Sequence, residues 1–146
     1  MRLSRTATYA LQATWRLATE KSSEPAPCSR IAEEGHMPER FLLQVLRRLV
    51  TAGILESVRG SEGGYRLHKS PEDITVLEII EAVEGRIDGA DPPDGMIETE
   101  PFERLRRALA EISEQTRQQL NSIRLSHLTL PAAPSEPKGT ADPPQA

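Results

Sequence analysis

The sequence predicts a mostly α-helical fold with one small β-hairpin and a long C-terminal helix. Apolar residues recur at helical spacing in separate stretches before residue 85. Two short, partly alternating segments flank a glycine-rich tip at 60–64. A stripe whose steps alternate three and four runs from Phe102 to Ile123. At 146 residues the chain is one domain's worth, enough for a single modest core.

The first helix is expected over 3–20, where Leu3, Ala7, Ala10, Leu11, Ala13, Trp15 and Leu17 form the apolar side and Arg5, Gln12 and Arg16 the wetter one. Trp15 reads as a core residue. Pro25 and Pro27 stop continuation into a short second helix, Ser29 to Glu34, with Gly35 suited to its C-terminal cap. The third helix starts at Pro38, acceptable as a first helical residue, and runs to about Ala52 before Gly53. Its apolar side is Phe41, Leu42, Val45, Leu46, Leu49 and Val50. ILESVR (54–59) and YRLHK (65–69) around GSEGG make the hairpin. TVLEIIEAVE (75–84) is a fourth amphipathic helix, ended by Gly85. Residues 86–101, rich in Gly, Pro and Asp, read as a loop, and 102–127 as one long helix. The Pro- and Ala-rich residues 128–146 are expected to be disordered.

Composition narrows the function. No apolar run nears the ~18 residues that span a bilayer, and the N-terminus lacks the uninterrupted apolar centre of a secretory signal. A cytoplasmic protein is expected. The net charge of −4 conceals a split: residues 1–71 hold 11 Lys/Arg against 7 Asp/Glu, residues 72–146 hold 7 against 15. A local basic face is what phosphate feels within a Debye length of ~10 Å, so the overall acidity does not exclude nucleic acid.

Three helices followed by a hairpin is the order of a winged helix-turn-helix, and GHM between the second and third helices has the length of its tight turn. Arg40, Leu43, Gln44, Arg47 and Thr51 share the face of the third helix opposite the core. Such a helix fits the major groove, where Gln pairs with adenine, Arg with guanine or phosphate, and Leu touches a thymine methyl. Alone, that face is an ordinary solvated one; placed before a glycine-tipped hairpin carrying Arg59, it reads as a DNA reader. Arg59 stands at the root of a thin wing able to enter a narrow minor groove. Phosphates fall to Arg5, Arg40, Arg47, Arg48 and the backbone around Gly60, Gly63 and Gly64; base or groove reading falls to Leu43, Gln44 and Arg59.

MRLSRTATYAL, PERFLLQVLRRLVTAGILESVRGSEGGYRL and ITVLEIIEAVEG together resemble the Rrf-two (Rrf2) family of bacterial winged-helix repressors. The resemblance covers residues 1–85 nearly without gaps, and the order of elements continues to about residue 127. Tyr9-Ala10, the helix end from Leu49 to Gly53, and RGxxGGYxL from Arg59 to Leu67 carry it. The family's best-known members sense iron–sulfur status, nitric oxide or cysteine supply. The resemblance implies a homodimer that places one recognition helix in a major groove and one wing in the adjoining minor groove of an operator from each subunit. Gln44 and Arg59 match the family's base-reading and wing positions. At Leu43 some iron–sulfur members carry a glutamate, so their operator does not carry over. The dimer seam then falls to Phe102, Leu105, Leu109, Ile112, Thr116, Gln119 and Ile123.

The sensor is where this chain departs. Cluster-binding relatives carry three cysteines between the fourth helix and the long helix, whereas GRIDGADPPDGMIETEPFERLRR contains neither Cys nor His. A [2Fe–2S] cluster needs four soft or imidazole ligands; Cys28, His36, His68 and His127 are scattered. A member without cofactor or metal is expected. Asp88, Asp91 and Asp94 step by three, not by the two of a calcium loop, and read as solubilising. Cys28 reads first as a small hydrophobe beside Pro27. At a helix start, where a thiol pKa falls, it is also a candidate redox thiol. No acid–base pair or nucleophile triad is visible, so an enzyme is not expected. The rival to the DNA reader is a regulator that docks a metabolic enzyme through its acidic half under control of a protein or small-molecule effector.

Overall fold

The structure, a computed structural model, describes residues 1–88 and 99–129. Helix α1 (Arg5–Thr19) begins at Ser4, whose hydroxyl accepts from the Ala7 amide at 3.1 Å, one of the donors a helix start leaves unpaired. Ala7, Ala10, Ala13 and Thr14 are its buried residues, and the Thr14 hydroxyl is satisfied by the Ala10 carbonyl at 2.9 Å. Small side chains one turn apart let this helix lie close against α3 (Glu39–Thr51), α4 (Val76–Glu84) and α6 (Leu125–Thr129). Trp15 corrects the expectation of a core residue. At 3.6 residues per turn it falls nearly opposite the buried face, stays 39% exposed, and donates its indole N–H to the Leu128 carbonyl at 2.9 Å. Leu3 is also exposed, ahead of the helix.

Helix α2 (Cys28–Gly35) starts one residue earlier than expected, and its left-handed cap is His36 (φ 53°) rather than Gly35. Gly35 lies against Met37 and the side of α1 that carries Gln12 and Arg16; a Cβ there would lie 2.5 Å from Met37 Cε, the end of a flexible side chain that would have to shift. Pro38 caps α3 instead of forming its first residue. Leu42, Val45, Leu46 and Leu49 are buried, and Phe41 and Val50 pack at the margin.

Strands β1 (Leu55–Val58) and β2 (Gly64–Leu67) pair antiparallel from Leu55↔Leu67 to Val58↔Gly64. Before α2 the chain returns to pair with β2: the Ala26 amide donates to the Tyr65 carbonyl at 2.9 Å, and the Tyr65 amide to the Ala26 carbonyl at 2.8 Å. That approach leaves no room at Gly64, where a Cβ would sit 2.3 Å from Ala26 C and O.

A 3-10 turn (Pro71–Asp73) leads into α4, whose start is a reciprocal capping box. The Thr75 hydroxyl accepts from the Glu78 amide (3.1 Å) and the Glu78 carboxylate from the Thr75 amide (2.9 Å). Val76, Leu77, Ile79, Ile80 and Val83 are buried. Helix α5 (Glu100–Asn121) contains no buried residue.

The expected single helix over 102–127 is two. After Asn121 the chain turns a corner and α6 packs back, because Leu125 enters the core at 0% exposure. The corner is pinned by the Val76 amide on the Ile123 carbonyl (2.9 Å) and the Leu125 amide on the Ile74 carbonyl (2.8 Å). Ile123 therefore lies beyond α5, and Leu128 and Thr129, expected in the tail, are helical. Most of the expected loop, with Asp91 and Asp94, and the tail from residue 130 lie outside the described residues.

Gly64→Ala is expected to lower unfolding free energy by about 1–3 kcal/mol, the cost of forcing a methyl into a filled site. Urea denaturation followed by circular dichroism measures it, and an unchanged midpoint would contradict the close Ala26 contact.

Candidate nucleic-acid interface

The turn His36–Pro38 sets α3 across α2, and the edge-on contact of Tyr9 with Phe41 (centroids 5.6 Å apart, planes at 74°) holds its first turn against α1. With its apolar side inward, α3 presents Arg40, Gln44, Arg47 and Thr51 exposed and Leu43 half-buried. Arg5 stands at the exposed start of α1, and Arg59 follows β1 at the root of the hairpin tip.

The charge on these side chains is uncommitted. Among the described residues, Arg5, Arg40, Arg47 and Arg59 make no side-chain hydrogen bond or ion pair, as is true of Arg2 and Arg107. Arg16, Arg30, Arg66, Arg86, Arg104, Arg106 and Arg117 instead sit against carboxylates. An exposed, unpaired guanidinium keeps its five donors and full charge available for phosphate or a base edge.

Three expected phosphate contacts are placed otherwise. Arg48 turns toward α4 and donates to the Val83 carbonyl at 2.6 Å. The Gly63 amide is committed within the hairpin tip, to the Gly60 carbonyl at 3.1 Å. Gly64 faces Ala26. Gly60, at φ 119°, makes the tip turn. Sequence spacing put Arg48 next to the reading face of α3 but held no sign of the carbonyl 35 residues away that engages it.

The expected seam is carried outward by α5. Phe102, Leu105, Leu109 and Ile112 are exposed, between 39% and 58%, with Thr116 half-buried and Gln119 exposed beyond them. On its other side Arg117 forms a two-pronged ion pair with Glu81 of α4, Nε–Oε1 2.8 Å and Nη2–Oε2 3.2 Å. Sequence reasoning missed both residues. Their separation of 36 positions leaves no local signal.

Cys28 corrects another expectation. Its thiol pKa is raised, not lowered, by partial burial and then by the nearby Glu39 carboxylate. Its Sγ points at the Glu39 carbonyl, 3.8 Å away. Desolvation is the larger of these two causes.

A helix-turn-helix followed by an arginine-bearing hairpin wing defines a winged-helix transcriptional regulator, a class without catalytic machinery. The comparison with known families agrees: a model described as "Iron-dependent Transcriptional regulator", Rrf2, matches residues 3–130, and the chain belongs to the Rrf2 family. It is similar to the HTH-type transcriptional regulator CymR of Bacillus subtilis, 31% identical over 121 residues, 80% of this chain and 86% of that one. An rrf2-like regulator of Rhodobacter capsulatus is 38% identical over 82 residues, 54% of this chain and 55% of its own. IscR of Photobacterium profundum is 38% identical over 88 residues, 60% of this chain and 51% of its own. The chain thus spans about half the length of the latter two relatives. Among solved structures, B. subtilis CymR, titled the global cysteine regulator, superposes with TM-score 0.70 at 29% identity, covering 88% of this chain and 96% of that chain. IscR of T. potens gives 0.66 at 28% identity, covering 86% and 84%.

The described donors do not fit the iron that the family description names. Cys28 is the one cysteine of the sequence. The His68 ring bonds Glu56 (3.1 Å), the His127 ring accepts from the Arg124 amide (3.1 Å), and His36 caps α2. Among the described residues no three His, Cys, Asp or Glu side chains gather to hold a metal ion, and no helix is long and apolar enough to cross a membrane.

With its pKa raised, Cys28 is expected to react with iodoacetamide at pH 7 more slowly than a free cysteine peptide, and Glu39→Gln to narrow the gap. Alkylation followed by mass spectrometry checks this; a faster rate than the peptide's would reverse the assignment.

Proposed function

We propose that the chain is a cytoplasmic, homodimeric, sequence-specific DNA-binding repressor that works without an iron–sulfur cluster. The observation that carries this reading is that, among the described residues, Arg5, Arg40, Arg47 and Arg59 on α1, α3 and the wing root are uncommitted while most other arginines, Arg2 and Arg107 apart, are paired. In this reading Arg5, Arg40 and Arg47 hold phosphates, Leu43 and Gln44 meet base edges in the major groove, and Arg59 enters the minor groove with the Gly60 tip turn. The exposed apolar stripe of α5 supports a second copy as its cover, with Phe102, Leu105, Leu109 and Ile112 at the centre, Thr116 and Gln119 continuing it, and Ile123 at its foot. Two readers joined this way match an inverted repeat, half-sites about one helical turn (~34–36 Å) apart. The one-cysteine sequence supports a cluster-free regulator.

The test is selection of binders from a randomised duplex pool at fixed, near-physiological salt, using protein purified anaerobically. Enrichment of an inverted repeat by a colourless protein is expected; a brown protein with an iron–sulfur absorbance would overturn the cluster-free part. On the selected duplex, Arg59→Ala is expected to cost on the order of 1–3 kcal/mol, with the loss concentrated where the minor groove narrows. Footprinting that leaves the wing contact unchanged would count against it. Leu109→Glu is expected to abolish the dimer by burying a charge in the seam, read by sedimentation; a dimeric variant would remove α5 from the interface.

A further inference from the structure

The last turn of α4 is held by three other parts of the chain. From α3, Arg48 donates to the Val83 carbonyl at 2.6 Å. From α5, Arg117 grips the Glu81 carboxylate with both prongs. From the segment that follows α4, the Ile87 amide donates to the same carboxylate at 3.0 Å. The Gly85 amide closes the turn on the Glu81 carbonyl at 3.0 Å, and the Val83 side chain is buried beneath it. Arg117, and after it the Ile87 amide, hold the Glu81 carboxyl below its ordinary range, so the group that gathers these contacts is charged at neutral pH.

Arg48 lies one turn beyond Gln44 on α3, next to the reading face but aimed away from it. Its hydrogen bond ties α3 to the last turn of α4. We propose that Arg48 is a positioning residue for DNA recognition, and that through the last turn of α4 a displacement of residues 86–88 or of α5 reaches the reading face of α3. This rests on the reading that α3 reads DNA. It deepens that reading by giving an effector a route to the operator, since whatever moves Ile87 or Arg117 pulls on the turn that Arg48 holds.

Two measurements test it. On the duplex selected by the wild-type protein, affinity is followed against salt for Arg48→Met and Arg47→Met. Each phosphate contact contributes about −0.9 to the slope of log K against log salt. Arg47→Met is expected to flatten the slope by about that amount. Arg48→Met is expected to lose about tenfold in affinity with the slope unchanged, the size of one charge-assisted hydrogen bond. A flattened slope for Arg48→Met makes it a phosphate contact and overturns the proposal, as does wild-type affinity.

The second measurement needs no DNA and covers a fold-breaking Arg48→Met. Amide exchange of free Glu81→Gln is expected to quicken at least threefold over Arg48 to Thr51, with Ala10 and Ala13 of α1 unchanged. Quickening confined to Ile87 and α5 overturns the coupling. If the wild-type protein enriches no duplex, the DNA-reading assignment fails and Arg48 positions nothing for it; the exchange result still decides whether the turn transmits.

Discussion

Burial of one face of α4 is the interaction on which the rest of the molecule leans. Val76, Leu77, Ile79, Ile80 and Val83 are removed from water, the first and the last three of them in the main core, as α4 packs on α1, α3 and α5. Full burial of such a side chain is worth about 1.5–3 kcal/mol each, whereas the exposed ion pairs scattered over the surface contribute about 0–1 kcal/mol apiece. The apolar contacts therefore decide where the helices lie, and the polar ones decide their fine angle. The capping box at Thr75 and Glu78 and the pinned corner at Ile123 fix the register at which α4 enters the core.

Electrostatics divides the arginines by task. Where guanidinium meets carboxylate, as in Arg30–Glu20 or Arg117–Glu81, charge is cancelled locally and spent on structure. On the outer face of α3 and at the wing root no ion pair forms among the described residues, and the guanidinium charge is left uncancelled on a chain whose net charge is −4. A net acidic protein with one such face repels polyanions from every side but that one.

Most of the fold was legible in the sequence because it is written in local periodicity. The apolar spacing of α3 and α4, the proline and glycine boundaries, and the glycine-tipped hairpin all act within a few residues. The Thr75-x-x-Glu78 pair was an unused local signal for the start of α4. What was not legible depends on distant partners. The corner after Asn121 exists because Leu125 fits a hole lined from elsewhere, and Trp15 stays outside because α1 uses its alanine face instead. At the candidate site the exposed face of α3 and Arg59 followed from spacing. The diversion of Arg48 came from a carbonyl 35 positions away, and the upward shift of Cys28 from its partial burial first and from Glu39, 11 positions away, second.

The corner at Ser122–Arg124 makes α5 a cantilever. Its C-terminal end is clamped into the body through Leu125 and the backbone of Ile74 and Val76, while its 22 residues reach about 33 Å from that clamp. A beam fixed at its root transmits angle as well as distance. In a pair of chains joined along these beams, the separation and twist between the two bodies are set by the pitch of a single helix, not by a pliant tether. Such a frame reads a ruler: it has little slack with which to follow two targets whose spacing or rotation differs from its own.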